Sequence, residues 1–307
     1  MRREFVDSLV AAAVDDERIV LLTADLGFNA LEPFAERFPS RFFNVGVAEQ
    51  NMVGLATGLA EAGFVPFAYS IATFATMRPY EFVRNGPVLH ELPVRIVGMG
   101  GGLDYGHNGI THYAVEDLAL MRAQPGLTAV APADGDQARA AVGALGDVAR
   151  PAYLRLERTG HAVPGLDGRF ALGRAELIGG GADLLVVAIG SVAHEAVEAA
   201  ERLAADGVEA TVAVVSSFSP SPVDDLAELL ARVPVAITAE AHYVDGGLGS
   251  LVAEIVAERG LDCRVVRRGV VHTPRGETGG RDYLFSLHGL TGAQIAATAV
   301  ETLALVA

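Results

Sequence analysis

Short β-branched apolar runs alternate along this chain with longer Ala-rich stretches, the pattern expected of parallel strands buried on both faces by crossover helices. The runs predict strands at Ile19–Thr23, Phe42–Val45, Val65–Ala68, Val94–Val97, Thr128–Ala131 and Ala152–Leu156. Helical periodicity lies between them at Phe5–Val14, Gln50–Ala62, Arg78–Asn85, Ala114–Met121 and Gly135–Ala144. A second series follows the Gly179-Gly180-Gly181 turn. Its strands are expected at Leu184–Ile189, Ala210–Val215, Val235–Ala239 and Cys263–Arg268, and its helices at Ala193–Ala205, Val223–Val233, Gly249–Glu258 and Thr291–Leu305. His161–Gly173 between the series is rich in Gly and Pro and has no period, which predicts a boundary near residue 170. The expectation is two three-layer α/β/α domains with mainly parallel sheets, residues 1–170 and 171–307.

Composition narrows the function classes. The 307 residues carry 38 acidic against 23 basic side chains, a net charge of −15. No run supplies the basic face that nucleic acid or an anionic membrane requires. Every basic residue is arginine, so Schiff-base chemistry on a lysine of this chain and a Walker-type phosphate lysine are both excluded. The single Cys263 rules out an internal disulfide and a cysteine-built zinc site. Apolar runs such as Leu184–Ile189 are strand-length rather than membrane-length. The first residues lack the apolar stretch of a secretory signal, which points to the cytoplasm.

Candidate chemistry concentrates in the first series. In Asn44-Val45-Gly46-Val47-Ala48-Glu49-Gln50-Asn51 a strand gives way to a helix, with Glu49 at the helix N-terminus. Gly54 and Gly58, four apart, share one face of that helix and lower its propensity by about 1 kcal/mol each. Such a face suggests close packing by another element. Phe74, Met77 and Tyr80 recur every three residues, and Arg78-Pro79 suggests a tight turn. A Gly-containing loop carries His107, Asn108 and the Thr111-His112 pair; a loop histidine beside a site suits proton transfer. In Tyr153-Leu154-Arg155-Leu156-Glu157-Arg158, alternation sends Arg155 and Glu157 to one face and Leu156 and Arg158 to the other. Asp134, in Ala133-Asp134-Gly135-Asp136, is read as a helix cap. Glu240, His242 and Asp245 are read as structural, and Cys263 as a buried small hydrophobe.

The stretches NVGVAEQNMVGLATGLAEAGFVPF, ATFATMRPYEFVRN, GHNGITHYAVEDLALMRAQPGLTAVAPAD and PAYLRLER stand in the order found in the pyrimidine-binding domain of the transketolase family. The Gly246-Gly247-Leu248-Gly249-Ser250 run resembles that family's C-terminal domain. The resemblance covers essentially the whole chain. It implies thiamine diphosphate as cofactor, with Glu49 hydrogen-bonded to the aminopyrimidine so that its imino form removes the thiazolium proton. By the same resemblance Phe74 stacks on the pyrimidine, Leu26 packs on it, and Tyr80 and Met77 line the pocket. His112 contacts substrate oxygens, with His107 a weaker candidate, and Arg158 grips a sugar phosphate. Asn108 and Asn29 depart from positions where the family often has an acidic residue and a phosphate-binding serine.

The family's Gly-Asp-Gly segment, which holds the diphosphate through Mg²⁺ or Ca²⁺, belongs to a separate N-terminal domain. The resemblance therefore implies the C-terminal-type subunit of a split transketolase. Its partner would carry the diphosphate domain and most of the metal contacts, in an α2β2 assembly acting on sugars or sugar phosphates. No metal ligand is assigned to this chain. Deoxyxylulose phosphate synthase is the nearest alternative, but its loop usually continues Thr-His-His-Gly-Ala-Phe-Asp where this chain has Thr111-His112-Tyr113-Ala114-Val115-Glu116-Asp117. A 2-oxo acid dehydrogenase β subunit would lack the Thr-His stretch. A non-catalytic interaction subunit should have lost some of Glu49, Phe74, His112 and Arg158.

Overall fold

A computed structural model describes residues 1–158 and 161–306. Twelve strands among them form two sheets. The first half contributes β1 (Ile19–Thr23), β2 (Phe42–Asn44), β3 (Val65–Ile71), β4 (Arg95–Met99), β5 (Thr128–Val130) and β6 (Ala152–Leu156). The second contributes β7 (Glu176–Gly179), β8 (Leu184–Ala188), β9 (Ala210–Val214), β10 (Ser217–Ser219), β11 (Val235–Tyr243) and β12 (Arg264–Val270). The seven-stranded sheet runs β10-β5-β6-β4-β3-β1-β2 and the five-stranded sheet β12-β11-β8-β9-β7. All pairings are parallel except the two edges, β10 on β5 and β7 on β9. These are two α/β units, as the alternation of runs predicts.

The helices are α1 (Arg2–Asp15), α2 (Glu32–Arg37), α3 (Glu49–Glu61), α4 (Ala72–Thr76), α5 (Tyr80–Val83), α6 (Asp117–Arg122), α7 (Gly135–Gly146), α8 (Val192–Ala205), α9 (Val223–Leu230), α10 (Leu248–Arg259), α11 (Arg281–Leu287) and α12 (Gly292–Leu303). They cover both faces, so β1, β3, β4, β6 and β8 are buried along their whole length. Among the described residues no helix is long and apolar enough to cross a membrane.

Two expected helices change shape. Pro79 and Pro87 lack an amide N–H, so Arg78–Asn85 becomes the short α5 followed by a turn of π-helix over Arg84–Val88. Ala114–Met121 starts three residues late. Ala114 is extended and exchanges backbone hydrogen bonds with Gly102, leaving α6 to begin at Asp117.

Register positions the functional loops. Met99 at the end of β4 pairs with Leu156 at the end of β6, and Ile71 at the end of β3 pairs with Met99. The segments carrying Asn29, Glu49, Phe74, Asp104–His112 and Arg158 therefore all leave the carboxyl edge of one parallel sheet. Open α/β sheets bind ligands at that edge.

Candidate active site

Glu49 opens α3 just past β2 and is only 3% exposed. Its Oε1 accepts a 2.8 Å hydrogen bond from Nη1 of Arg78, whose side chain is 44% exposed. The same guanidinium lies over the Phe74 ring, with Cζ 3.7 Å from the centroid. Phe74 is held by α4, immediately after β3. Its ring meets the His112 imidazole edge to face at 5.2 Å. The Thr111 hydroxyl lies 2.9 Å from His112 Nδ1, which orients the ring, and the Tyr105 ring lies 6.0 Å from the imidazole, tilted against it.

Beyond Tyr105 the row continues to charge. Arg158 stacks on Tyr105 at 5.2 Å, and its backbone N–H donates to the Asp104 carboxylate. Arg2, Met99, Asp104, Arg158 and Arg281 line a cavity of about 350 Å³. Arg281 comes from α11 in the second half and is anchored by Glu195 at 2.9 Å. Withdrawal from water, reinforced by the neighbouring Glu157 carboxylate, pushes the Asp104 carboxyl up to about 7 despite the opposing Arg158 and Arg155.

The turn that presents Asp104 depends on Gly100 and Gly102, at φ +77° and +64°. Those values are strained for any residue with a Cβ. Arg155, buried beneath that turn, pairs with Asp117 at 3.5 Å and donates to the Ala241 carbonyl. Glu157 points the same way and accepts from Ser191. Both tie the first half to the second, whereas Arg158 is exposed, in accord with the alternation.

The remaining candidates lie around this row. Met77 is exposed at its rim and accepts from the Thr73 hydroxyl at 3.3 Å. The Tyr80 hydroxyl donates to the Leu120 carbonyl and accepts from Gln124, fastening α5 to α6. Leu26 is half-buried in a separate small cavity with Thr23, Phe42 and Asn44. Asn29 lines a 640 Å³ cavity with Arg2, Arg3 and Glu32, and Arg2 faces both this cavity and that of Arg158. His107 and Asn108 are exposed in a single 3-10 turn.

Two cofactor tests follow from these contacts. Between Glu49 and Phe74 the Arg78 guanidinium, a planar N–H donor, already gives one hydrogen bond and stacks on one ring. An aminopyrimidine offers the same planarity and donors, so the pair fits it once the half-exposed Arg78 swings aside. The Asp134 turn does not fit a metal–diphosphate. Asp134 Oδ1 accepts from Gln137 N at 2.9 Å, capping α7, and Oδ2 accepts from Val163 N at 3.0 Å, so both oxygens are spent on backbone. Glu240 is likewise spent on backbone, accepting from Leu248 N and Gly249 N at the start of α10.

Arg78 and Asp104 carry no sequence signal of this placement. Their partners lie 29 and 54 residues away, beyond the reach of any local period.

Known proteins share the domains and the fold. The transketolase pyrimidine binding domain family matches residues 1–161 and the transketolase C-terminal domain family residues 173–295. A putative transketolase C-terminal section of Methanocaldococcus jannaschii is 34% identical, over 98% of this chain and 95% of its own. A 6-deoxy-6-sulfo-D-fructose transketolase subunit of Clostridium sp. is 37% identical, over 98% and 94%. A solved split gene transketolase, an inactive beta4 tetramer, superposes with a TM-score of 0.90 at 38% identity, covering 99% of this chain and 98% of that one.

Proposed function

The chain belongs to the transketolase family, and we propose that it is the C-terminal-type subunit of a split transketolase whose thiamine diphosphate is shared with a second polypeptide. The observation that carries this reading is the unbroken row Glu49–Arg78–Phe74–His112 at the carboxyl edge of the sheet. When bound, the cofactor would supply an acidic thiazolium carbon whose conjugate base adds to the donor ketose carbonyl, and a ring that holds the electron pair of the two-carbon unit until that unit's own carbon attacks the acceptor aldehyde. The reaction is transfer of a two-carbon ketol unit from a ketose donor to an aldehyde acceptor. The reading keeps a pyrimidine-binding domain at 1–170 and a C-terminal domain at 171–307.

Each residue then has a task set by its surroundings. Glu49, buried and able to accept one strong hydrogen bond, holds the ring nitrogen of the aminopyrimidine and exchanges a proton with it. Phe74 offers the face on which that ring stacks, and Met77 closes the rim. Tyr80 fastens α5 to α6, and Leu26, which lines a separate small cavity, is assigned to the pyrimidine by the resemblance alone. His112, oriented by Thr111, carries a proton to or from a substrate oxygen, with His107 and Asn108 within the same loop. Arg158, with Arg2 and Arg281, neutralises a terminal oxyanion, for which guanidinium forks are suited. The sulfonated sugar named for the Clostridium relative is consistent with such an end group. Asn29 extends the polar wall on the Arg2 side.

The diphosphate and its Mg²⁺ or Ca²⁺ fall to the partner subunit, because the Asp134 turn is occupied by its own helix. An α2β2 assembly in the cytoplasm, acting on sugars or sugar phosphates, completes the reading.

Glu49→Gln tests it. With the partner subunit present, exchange of the thiazolium C2 proton should slow by roughly 10²–10⁴-fold, the usual effect of losing an acid–base partner. Circular dichroism should stay native. Exchange at the normal rate would return Glu49 to a helix-terminal role.

A further inference from the structure

Away from the proposed catalytic row, the second half brings together two imidazoles and a carboxylate. His272 follows β12, His288 caps the C-terminus of α11, and Glu277 lies in the loop between them. Their potential ligand atoms all lie within 4.8 Å of one another. His272 Nε2 is 2.8 Å from Glu277 Oε1, and His288 Nε2 is 3.1 Å from Glu277 Oε2. Only the first contact is a hydrogen bond. His288 Nε2 and Glu277 Oε2 are both buried without a hydrogen-bond partner, and the His288 side chain is just 1% exposed. A buried imidazole nitrogen and a carboxylate oxygen, aimed at one point and left unmatched, ask for a third body between them.

We infer that His272, Glu277 and His288 form a binding site for a divalent transition metal, with Zn²⁺ the best fit. Zinc takes imidazole nitrogen and carboxylate oxygen at about 2.0–2.2 Å, which places neighbouring tetrahedral ligands about 3.4 Å apart. The two imidazole–carboxylate contacts, 2.8 and 3.1 Å, are slightly shorter than that edge and all three ligand atoms lie within 4.8 Å of one another, so small side-chain rotations complete three corners. The fourth opens on the side of His272, which is half-exposed. Mg²⁺ and Ca²⁺ prefer all-oxygen sets and do not match two imidazoles.

The site has a structural consequence. The Tyr113 hydroxyl lies 2.5 Å from the Glu277 carbonyl and 3.0 Å from that of Gly106, while Gly279 N donates to Gly106 O at 3.1 Å. The loop bearing Glu277 is thus the ledge beneath the His107–His112 turn. A metal fixing Glu277 to β12 and α11 would brace that ledge from behind, acting as a positioning element that touches no reacting atom.

The test uses the full-length, untagged chain stripped with chelator, without cofactor or partner, so its outcome is independent of the split-transketolase reading. Zn²⁺ titration by calorimetry should show one equivalent bound, with a raised thermal midpoint that Mg²⁺ does not reproduce. His272→Asn, at an exposed position, and Glu277→Gln should each weaken Zn²⁺ binding at least tenfold while keeping the native circular dichroism. Co²⁺ bound to the unsubstituted chain should give the intense visible bands of a four-coordinate site, a readout that survives even if a variant misfolds. No saturable Zn²⁺ binding, affinity unchanged by both substitutions, or only the weak bands of six-coordinate Co²⁺ would overturn the assignment.

Discussion

A single carboxylate sets the character of the arginine-lined cavity. Asp104 stands among Arg2, Arg158 and Arg281, and the loss of water, with the nearby Glu157, pushes its carboxyl up to about 7. Below that pH Asp104 is neutral, and Arg2 and Arg158, with the Glu195-paired Arg281, meet an anion without an opposing charge in the cavity. Above it the carboxylate adds a negative charge to the same cavity and repels the ligand. The KM for a donor with a terminal oxyanion should therefore rise as pH goes from 6 to 8, by roughly tenfold for one screened unit charge. A sulfonated sugar is the cleaner probe, since the second ionisation of a phosphate near pH 6 works in the opposite direction. Asp104→Asn should flatten the profile in the assembled enzyme, and a slope that persists in that variant would show that another group titrates. At this scale the sequence was half legible. Glu49, Phe74, His112 and Arg158 stand in motifs that resemble a family, whereas Arg78 and Asp104 acquire their places only through contacts formed across the sheet edge.

Elements were easiest to read where burial is continuous. Ile19–Thr23 and Ala152–Leu156 were expected with the boundaries they have, because strands covered on both faces are unbroken apolar runs. The missed elements lack that signal. Ser217–Ser219 is three residues, polar at both ends, and becomes β10 only by pairing with β5 some 90 residues earlier. Glu176–Gly179 is an edge strand with alternating burial, and α4 is a single short turn. The position of α4 matters most, since it carries Phe74. It rests on Gly98 of β4, where an added Cβ would come within 2.9 Å of the Ala72 backbone and 2.6 Å of the Tyr153 hydroxyl. That hydroxyl is committed to the buried Asp117 carboxylate at 2.6 Å. Gly98→Ala should lower stability by about 1–3 kcal/mol, the usual penalty of overpacking, read as a shift in denaturant midpoint. The assembled enzyme should also bind thiamine diphosphate more weakly as α4 lifts. A midpoint shift with cofactor affinity intact would mean that Tyr153 alone had moved.

The whole molecule leaves a face uncovered where the sequence suggested a covered one. Gly54 and Gly58 were expected to admit a closely packed neighbour, yet a Cβ at Gly58 would meet nothing within 4 Å, and one at Gly54 would only graze Phe82. Phe43, Val47, Leu55 and Phe82 are exposed around the same helix. Grooves flank α3, one lined by Phe43, Asn51, Leu55 and Leu59, the other by Thr57, Phe82 and Asn85. The small-residue stripe of α3 thus faces away from its own core, which no reading of one chain's periodicity can reveal. Contiguous exposed apolar surface of this kind marks an interface, and Glu49 at the start of α3 places it beside the proposed cofactor site. Two consequences follow for the chain on its own. It should self-associate through this face, and it should turn over no ketose with cofactor and Mg²⁺ supplied; the split gene transketolase it resembles is described as an inactive beta4 tetramer. Sedimentation velocity should show an oligomer, and Leu55→Arg, at a side chain 46% exposed, should shift it towards monomer without loss of fold, since surface substitutions usually change stability by under about 0.5 kcal/mol. Addition of the partner subunit should replace the self-associated form with a mixed complex and restore ketol transfer, and Leu55→Arg should impair that restoration. Steady-state turnover by the isolated chain would sink the two-polypeptide site, while a monomer at micromolar concentration would show that the exposed face of α3 does not bind its own kind.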